Sequence, residues 1–283
     1  MNTLFNFFAN RYINKFKAKT IEPVLEKSLQ ILDKQTLEEI KAKTSSFISN
    51  EGGYCDRAGK ADLYYTLFGY LVSEAIDPEK NNEKLKNYIQ KVNQNKNHEG
   101  VYLYCSAILQ SKLFALSFRN KKASKQIKNS LLKNILNPDY SLFLGILTLF
   151  YQKEYLAIYR IFRKTKNISG IYDFPCPVLA AITIIQKAAG KEVKKNEKKL
   201  MDFYRGNGSF SALKNSPTGD LLSTAVALFA LKFIDADIRL IKPECLEYVD
   251  SLFDNGSFRA TMLDFDTDIE YTFYGLLALG SLV

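Results

Sequence analysis

Three segments of the chain repeat one pattern of residues behind an aspartate, and this repeat constrains the fold more than any other feature. The segments are DLYYTLFGY from Asp62, DLLSTAVAL from Asp220 and DIEYTFYGL from Asp268. Four residues after the aspartate each has a threonine, and seven residues after it a small residue: Thr66 and Gly69, Thr224 and Ala227, Thr272 and Gly275. Offsets of four and seven lie on one helical face, so the pattern predicts three equivalent helices.

A turn with glycine and an aromatic residue precedes each of these helices. The turns are Gly53-Tyr54, Gly208-Ser209-Phe210 and Gly256-Ser257-Phe258. We expect each aspartate to cap its helix by accepting backbone N–H bonds, and Thr267 to Glu270 matches a capping box. The small residue at the seventh offset is expected to let neighbouring helices approach closely.

The spacing of the repeats indicates hairpins of two helices. Asp268 follows Asp220 by 268 − 220 = 48 residues, and a weaker copy begins at Asp173, 47 residues before Asp220. Fainter copies start near Val101 and Asp139. One hairpin cannot bury its apolar face alone, so repeats of this length predict stacked or ringed helical hairpins. The absence of alternating strand patterns favours an all-α fold.

The segments GGYCDRAGKADLYYTLFGY and DFDTDIEYTFYGLLALG resemble the repeats of the superfamily of protein prenyltransferase β-subunits and squalene/terpene cyclases. The resemblance implies an α/α toroid, in which inner and outer rings of helices surround an apolar funnel. It implies one toroid domain, which we expect over 20–283, and the residue pattern of 1–19 indicates a separate amphipathic segment before it. It also implies that the protein handles an isoprenoid or a prenyl diphosphate.

Composition limits the remaining classes of protein. The 283 residues are 47% hydrophobic, enough for one large core, and no apolar run is long enough for a membrane span. No secretory signal precedes the domain, and no CxxC pair occurs among Cys55, Cys105, Cys176 and Cys245. We therefore expect a cytoplasmic protein with reduced thiols.

The formal charge of +9 favours anionic partners, but no motif typical of nucleic-acid binding accompanies it, so we expect no nucleic-acid partner. In the segment 1–19, Phe5, Phe8, Tyr12 and Phe16 share one helical face. Two interpretations of this segment stay open. It lies on an anionic membrane surface, which would make the protein peripheral to the membrane, or it packs on the domain as an extra helix.

Zinc-dependent prenyl transfer does not fit the residues. In the resembling transferases, zinc is held by an aspartate, a cysteine two residues later and a histidine in the last repeat. Asp220 matches the aspartate, but Leu222 and Tyr271 stand at the other two positions, and leucine cannot bind zinc. We expect no metal and no cofactor.

The segment DFDTD at 264–268 resembles a variant of the acidic motif with which class II terpene cyclases protonate their substrates. The match implies Asp266 as proton donor, with the like charges of Asp264 and Asp268 favouring its protonated form. The competing interpretation assigns all three aspartates to helix caps and loop hydrogen bonds, because a helix N-terminus favours ionised carboxylates.

Candidate ligand contacts come from basic and aromatic residues near the repeats. Lys214, Arg57, Lys60 and Arg259 precede the aspartates and would form a positive rim for a diphosphate; the alternative is scattered solvated loops. Tyr65, Tyr271 and Tyr274 would contact an isoprenoid or stabilise a carbocation; the alternative is core packing. We therefore predict a protonation-initiated cyclase or another enzyme that uses prenyl diphosphate, with a non-catalytic toroid that binds a lipid or a partner as the alternative.

Overall fold

The fold is all-helical apart from a small three-stranded sheet. The computed structural model describes residues 14–94, 98–114, 121–134, 141–164 and 173–283. A 3-10 helix covers Asn14–Lys19. The α-helices of the described residues are α1 Ile21–Gln30, α2 Lys34–Ser46, α3 Leu63–Ile76, α4 Glu83–Gln94, α5 Gly100–Leu113, α6 Lys121–Asn134, α7 Ser141–Tyr151, α8 Tyr155–Lys164, α9 Cys176–Ala188, α10 Lys194–Met201, α11 Leu221–Phe233, α12 Lys242–Ser251 and α13 Ile269–Leu282. The antiparallel strands are β1 Phe253–Asp254, β2 Ser257–Arg259 and β3 Thr267–Asp268, in the order β1-β2-β3.

One set of helices forms a continuous series of contacts. The series runs α3, α5, α7, α9, α11, α13, and α13 then contacts α3. The helices α2, α4, α6, α10 and α12 each contact a member of the series from a second layer. The core lies along the series, where its apolar residues are almost fully buried; examples are Leu67, Ile108, Leu149, Leu179, Leu228 and Leu277. Helix α1 packs against α13 and α3.

The predicted caps are confirmed in the three clear repeats. Asp62 accepts from the backbone N–H groups of Tyr64 and Tyr65, Asp220 from that of Ser223, and Asp268 from that of Tyr271. Each carboxylate thus satisfies N–H groups that lack a partner within the helix.

Two predictions about caps are wrong. Asp173 is not a cap, because α9 begins only at Cys176 and has Pro175 at its N-cap position. The capping box at Thr267 does not form, because Asp268 is the N-cap and Glu270 accepts instead from the hydroxyl of Tyr64. Asp139 lies outside the described residues.

The repeated threonine ties each turn to its helix. The Thr66 hydroxyl accepts from the N–H of Tyr54 at 3.0 Å, and the Thr224 hydroxyl accepts from the N–H of Phe210 at 2.9 Å. In the last repeat the hydroxyls of Thr272 and Ser257 are 2.6 Å apart. The threonine is therefore a structural element of the repeat, because it satisfies a polar group of a buried turn.

The repeated small residue makes room for the aromatic ring of its own turn. A Cβ at Gly69 would lie 2.2 Å from the Tyr54 ring, and one at Gly275 would lie 2.4 Å from the Phe258 ring. The predicted role in close approach of neighbouring helices is therefore wrong at these two glycines. Such an approach occurs at Gly280, where a Cβ would lie 1.9 Å from the carbonyl oxygen of Val24 in α1.

A glycine with positive φ in or just before each repeat turn fixes the packing between hairpins. Gly52, Gly208 and Gly256 have φ values of 98°, 81° and 83°, a region that favours glycine. A Cβ on any of them would meet a backbone carbonyl of a neighbouring second-layer helix: Lys84 in α4, Glu244 in α12 and Glu39 in α2. The turn of the last repeat therefore packs against α2, which is the first helix of the second layer.

The described part of the 1–19 segment packs on the domain. Phe16 stacks on Phe233 with ring centroids 5.1 Å apart and an interplanar angle of 8°. Lys19 donates to the Phe233 carbonyl at 3.2 Å and pairs with Asp235. Phe5, Phe8 and Tyr12 lie outside the described residues. Among the helices that the structure describes, none is long and apolar enough to cross a membrane.

Candidate functional site

Arg57 joins the loop before α3 to the start of α13, more than 200 residues away. Its Nε lies 2.7 Å from Asp268 Oδ2, and its second guanidinium nitrogen lies 2.8 Å from Asp264 Oδ2. The hydrogen bonds from Arg57 lower the pKa of Asp264. The guanidinium also lies over the ring of Tyr271, 5.6 Å from its centroid. These ion pairs form a bridge between the first and last repeats.

Asp266 lies outside this bridge. Its side chain is exposed in the loop, and its N–H donates to Asp264 Oδ1 at 3.1 Å. The single positive charge of Arg57 offsets part of the like charge of Asp264 and Asp268 that was predicted to act on Asp266. In Asp264 and Asp268 the structure shows the arrangement of the competing interpretation, loop hydrogen bonds and a helix cap.

Glu270 is a second buried acid of this segment beside Asp268, and it was not predicted as a functional residue. It is 9% exposed, and burial raises its pKa to about 7, assisted by the charge of Asp268 and opposed by the Tyr64 hydrogen bond. The Tyr64 hydroxyl donates to its Oε1 at 2.6 Å. A carboxyl with this pKa exchanges a proton near neutral pH.

A polar cleft of about 480 Å³ opens beside this acid at the amino-terminal ends of α3 and α5. Tyr64 and Tyr65 line it with Asp56, Arg57 and Tyr102. Burial raises the pKa of Tyr65 to about 12, so its hydroxyl stays protonated. The structure therefore brings the predicted Tyr65 and Arg57 together at one surface. Tyr64, which touches both the cleft and Glu270, is the link between them.

Tyr274 belongs to the core. It is 4% exposed, and its ring centroid lies 5.6 Å from that of Phe68 and 5.3 Å from that of Phe273. These rings fill the space between α3 and α13. Core packing therefore describes Tyr274 better than the predicted ligand contact.

Two of the four predicted cations are paired with carboxylates in the structure. Arg57 is neutralised by two carboxylates, and Lys214 lies 4.0 Å from Asp202 Oδ2 and 5.8 Å from the Phe203 ring centroid. Arg259 donates to the carbonyl of Ser251 at 3.1 Å. Lys60 is exposed. Their local partners, rather than a shared anion site, account for three of the four.

Comparison of the chain with protein-family models, curated proteins and solved structures found no match in any of the three. The candidate sites therefore rest on the chain's own residues. Within the described ranges, no group of three or more His, Cys, Asp or Glu side chains is placed to hold a metal ion.

An apolar cavity of about 450 Å³ lies near the carboxyl-terminal ends of α7, α9 and α11. These carboxyl-terminal ends lie opposite the amino-terminal ends of the helices, where the aspartate caps are found. Helices α7 and α9 each contribute one face at spacings of three and four: Phe143, Ile146, Leu147 and Phe150 from α7, and Ala181, Ile184, Ile185 and Ala188 from α9. Phe229 and Phe233 of α11, aromatic and apolar residues of α8, and Phe16 and Ile21 complete the wall.

Polar groups at the edge of this cavity are paired. The Tyr151 hydroxyl donates to Glu22 at 2.7 Å, and Glu22 also pairs with Lys112. Burial opposes ionisation of Glu22, but the charge and hydrogen bond of Lys112 outweigh it and lower the pKa. Sequence patterns did not locate this cavity, because α7 lies in a faint copy of the repeat and α9 in the weaker copy, and neither has the aspartate-threonine pattern.

Proposed function

We propose that this protein is an α/α toroid that binds an apolar chain of the isoprenoid class in the cavity between α7, α8, α9 and α11. Two features support the toroid. The helix series returns from α13 to α3, and the Gly256 turn rests on α2. Both contacts join the last hairpin to the first, as a closed ring of hairpins requires.

The observation that carries the binding proposal is the cavity lining. Its volume of about 450 Å³ falls within the usual size range of small-molecule sites, and its wall consists almost entirely of aliphatic and aromatic side chains. Transfer of an apolar chain from water to such a wall gains roughly 25 cal/mol for each Å² buried. A branched, unsaturated hydrocarbon matches this lining because it needs no hydrogen-bond partner.

Filling the cavity is expected to abolish binding of the chain. Ile184→Trp replaces an aliphatic side chain of the wall by a bulky aromatic ring. We expect it to weaken binding of farnesol by at least about tenfold, since each CH₂ group that is no longer buried costs about 0.8 kcal/mol. Titration followed by native mass spectrometry or tyrosine fluorescence measures the affinity.

Leu240→Trp provides the matched control, because Leu240 is 95% exposed and lies outside the cavity lining. It should leave farnesol affinity unchanged. Equal affinity of the wild type and Ile184→Trp would rule out this cavity as the chain site, and no binding by the wild type would rule out the proposal.

Protonation-initiated cyclisation is the second candidate function. The observation that favours it is the pair Glu270 and Tyr64, in which a buried acid with a pKa of about 7 is hydrogen-bonded to a hydroxyl that lines the polar cleft. For this relay the Tyr64 hydroxyl would turn to accept a hydrogen bond from protonated Glu270; it would then give its own proton to an alkene held in the cleft and take the proton of Glu270, leaving a carboxylate.

If the protein catalyses this reaction, Glu270→Gln should lower product formation at least about a hundredfold, the usual contribution of a general acid. Asp266→Asn should do so instead if the exposed aspartate is the donor. The assay incubates the protein with farnesyl diphosphate, geranylgeranyl diphosphate and squalene and analyses products by gas chromatography. Absence of product from the wild type would remove the catalytic candidate and leave the binding proposal standing.

A further inference from the structure

Tyr155 is a polar residue within the wall of the apolar cavity. It is the first residue of α8, lines the cavity and is 8% exposed. Its ring lies edge-on to that of Phe150, with centroids 6.5 Å apart, so the side chain packs as part of the wall. Burial raises the pKa of its hydroxyl, which therefore stays protonated at neutral pH and can donate a hydrogen bond.

Unlike the paired groups at the cavity edge, the Tyr155 hydroxyl has no hydrogen-bond partner within the described ranges. The Tyr151 hydroxyl donates to Glu22 at 2.7 Å, and the Thr20 hydroxyl donates to the carbonyl of Lys17 at 2.9 Å. The Tyr155 oxygen is also not among the partnerless polar atoms that are sealed from solvent. The accessible part of this buried side chain therefore includes the hydroxyl, which opens onto the cavity that the residue lines.

A hydroxyl in this position needs a partner that the apolar wall does not supply. Burying a hydroxyl without a hydrogen bond costs free energy. A water molecule in the cavity would itself need roughly two to four polar partners, and the wall around Tyr155 is almost entirely aliphatic and aromatic. An oxygen carried on an apolar chain satisfies the hydroxyl and leaves no further polar atoms unpaired.

The charges of the wall indicate that this oxygen is neutral. Among the described residues that line the cavity, Lys19 is the only charged one. It pairs with Asp235 and donates to the carbonyl of Phe233 at 3.2 Å. A phosphate or a carboxylate held in the cavity would be buried without a counter-charge, which costs far more than burying a neutral hydroxyl or carbonyl.

We propose that Tyr155 donates a hydrogen bond to a neutral oxygen, an alcohol or a carbonyl, at one end of the chain ligand. This inference rests on the proposed function for the chain itself, and it narrows the ligand class to neutral oxygenated isoprenoids. It places the oxygen beside the start of α8 and the chain along the apolar faces of α7 and α9.

The test compares farnesol with farnesene, a hydrocarbon of the same chain length without oxygen, on the full chain. Tyr155→Phe keeps the ring and removes the hydroxyl. It should weaken farnesol binding by about tenfold, the effect of one hydrogen bond, and leave farnesene affinity unchanged. Farnesyl methyl ether should be weakened equally, because its oxygen can only accept. Titration followed by native mass spectrometry measures the affinities.

Tyr159→Phe is the matched control, because Tyr159 also lines the cavity from α8 but is 50% exposed. It should keep the wild-type ratio of farnesol affinity to farnesene affinity. An unchanged ratio in Tyr155→Phe, or an equal loss in both variants, would overturn the inference while leaving the chain site intact. Failure of the wild type to bind either ligand would instead overturn the proposed function.

Farnesyl monophosphate tests the charge of the head group. It should bind the wild type more weakly than farnesol does, because the cavity wall has no unpaired cation to receive its phosphate. Tighter binding of the monophosphate than of farnesol would overturn the neutral class of ligand.

Discussion

Replacing Gly275 by alanine is expected to lower the free energy of unfolding by about 3 kcal/mol, near the upper end for overpacked cores. In an open helix the same change stabilises by about 1 kcal/mol, so the expected sign is the reverse of helix propensity. The reason is steric, because the new Cβ would lie 2.4 Å from the ring of Phe258, which is 1% exposed and has no space to move into. Urea unfolding followed by circular dichroism measures the difference.

A double-mutant cycle separates this clash from other effects. Phe258→Leu removes ring atoms at the clash, so Gly275→Ala should cost at least about 1 kcal/mol less in that background. Ala227 holds the equivalent position and already carries a Cβ, so Ala227→Gly should cost only about 1 kcal/mol. A higher free energy of unfolding for Gly275→Ala would contradict the inference that Gly275 leaves room for the ring of Phe258.

Replacing Glu270 by glutamine is expected to remove a pH dependence of stability of about 3 kcal/mol, the free-energy equivalent of a pKa raised from 4.5 to about 7. The folded protein binds this proton more tightly than the unfolded chain. Wild-type stability should therefore be greatest below pH 4.5 with respect to this group and fall as the pH rises through 7. At pH 8 the variant should be the more stable protein, because its side chain carries no buried charge.

Urea unfolding at pH 5, 6, 7 and 8 tests this expectation. Glu247→Gln changes an exposed glutamate and should follow the wild type throughout. The lowered pKa of Asp264 makes its contribution fall away at acidic pH, outside this range, and it is common to all three proteins. Parallel curves for the wild type and Glu270→Gln would show that Glu270 is ionised without cost in the folded protein.

Local patterns in the sequence predicted local structure well. The caps Asp62, Asp220 and Asp268 were predictable because an N-cap depends on contacts within three residues of the chain. Asp173 misled because α9 begins only at Cys176, with Pro175 at the N-cap position and Pro177 in the first turn, where proline is favoured. The all-helical class followed from the same local signals.

The sites were less predictable, because they depend on residues that are distant in sequence. Arg57 meets Asp264 and Asp268 across more than 200 residues, and that contact decides which carboxylates are compensated. Glu270 was missed because its raised pKa comes chiefly from burial, with the charge of Asp268 assisting, and burial of one side chain is not readable from a local pattern.

The packing of the Gly256 turn against α2 affects how the protein unfolds. In an open array of hairpins, the outermost units lack one neighbour and fray first. Here the hairpin that contains α13 leans on α2 and α3, so neither extremity of the described fold is an exposed edge. A destabilising change in one hairpin therefore affects the hairpins on both sides of it. We expect the described fold to unfold cooperatively, in one transition.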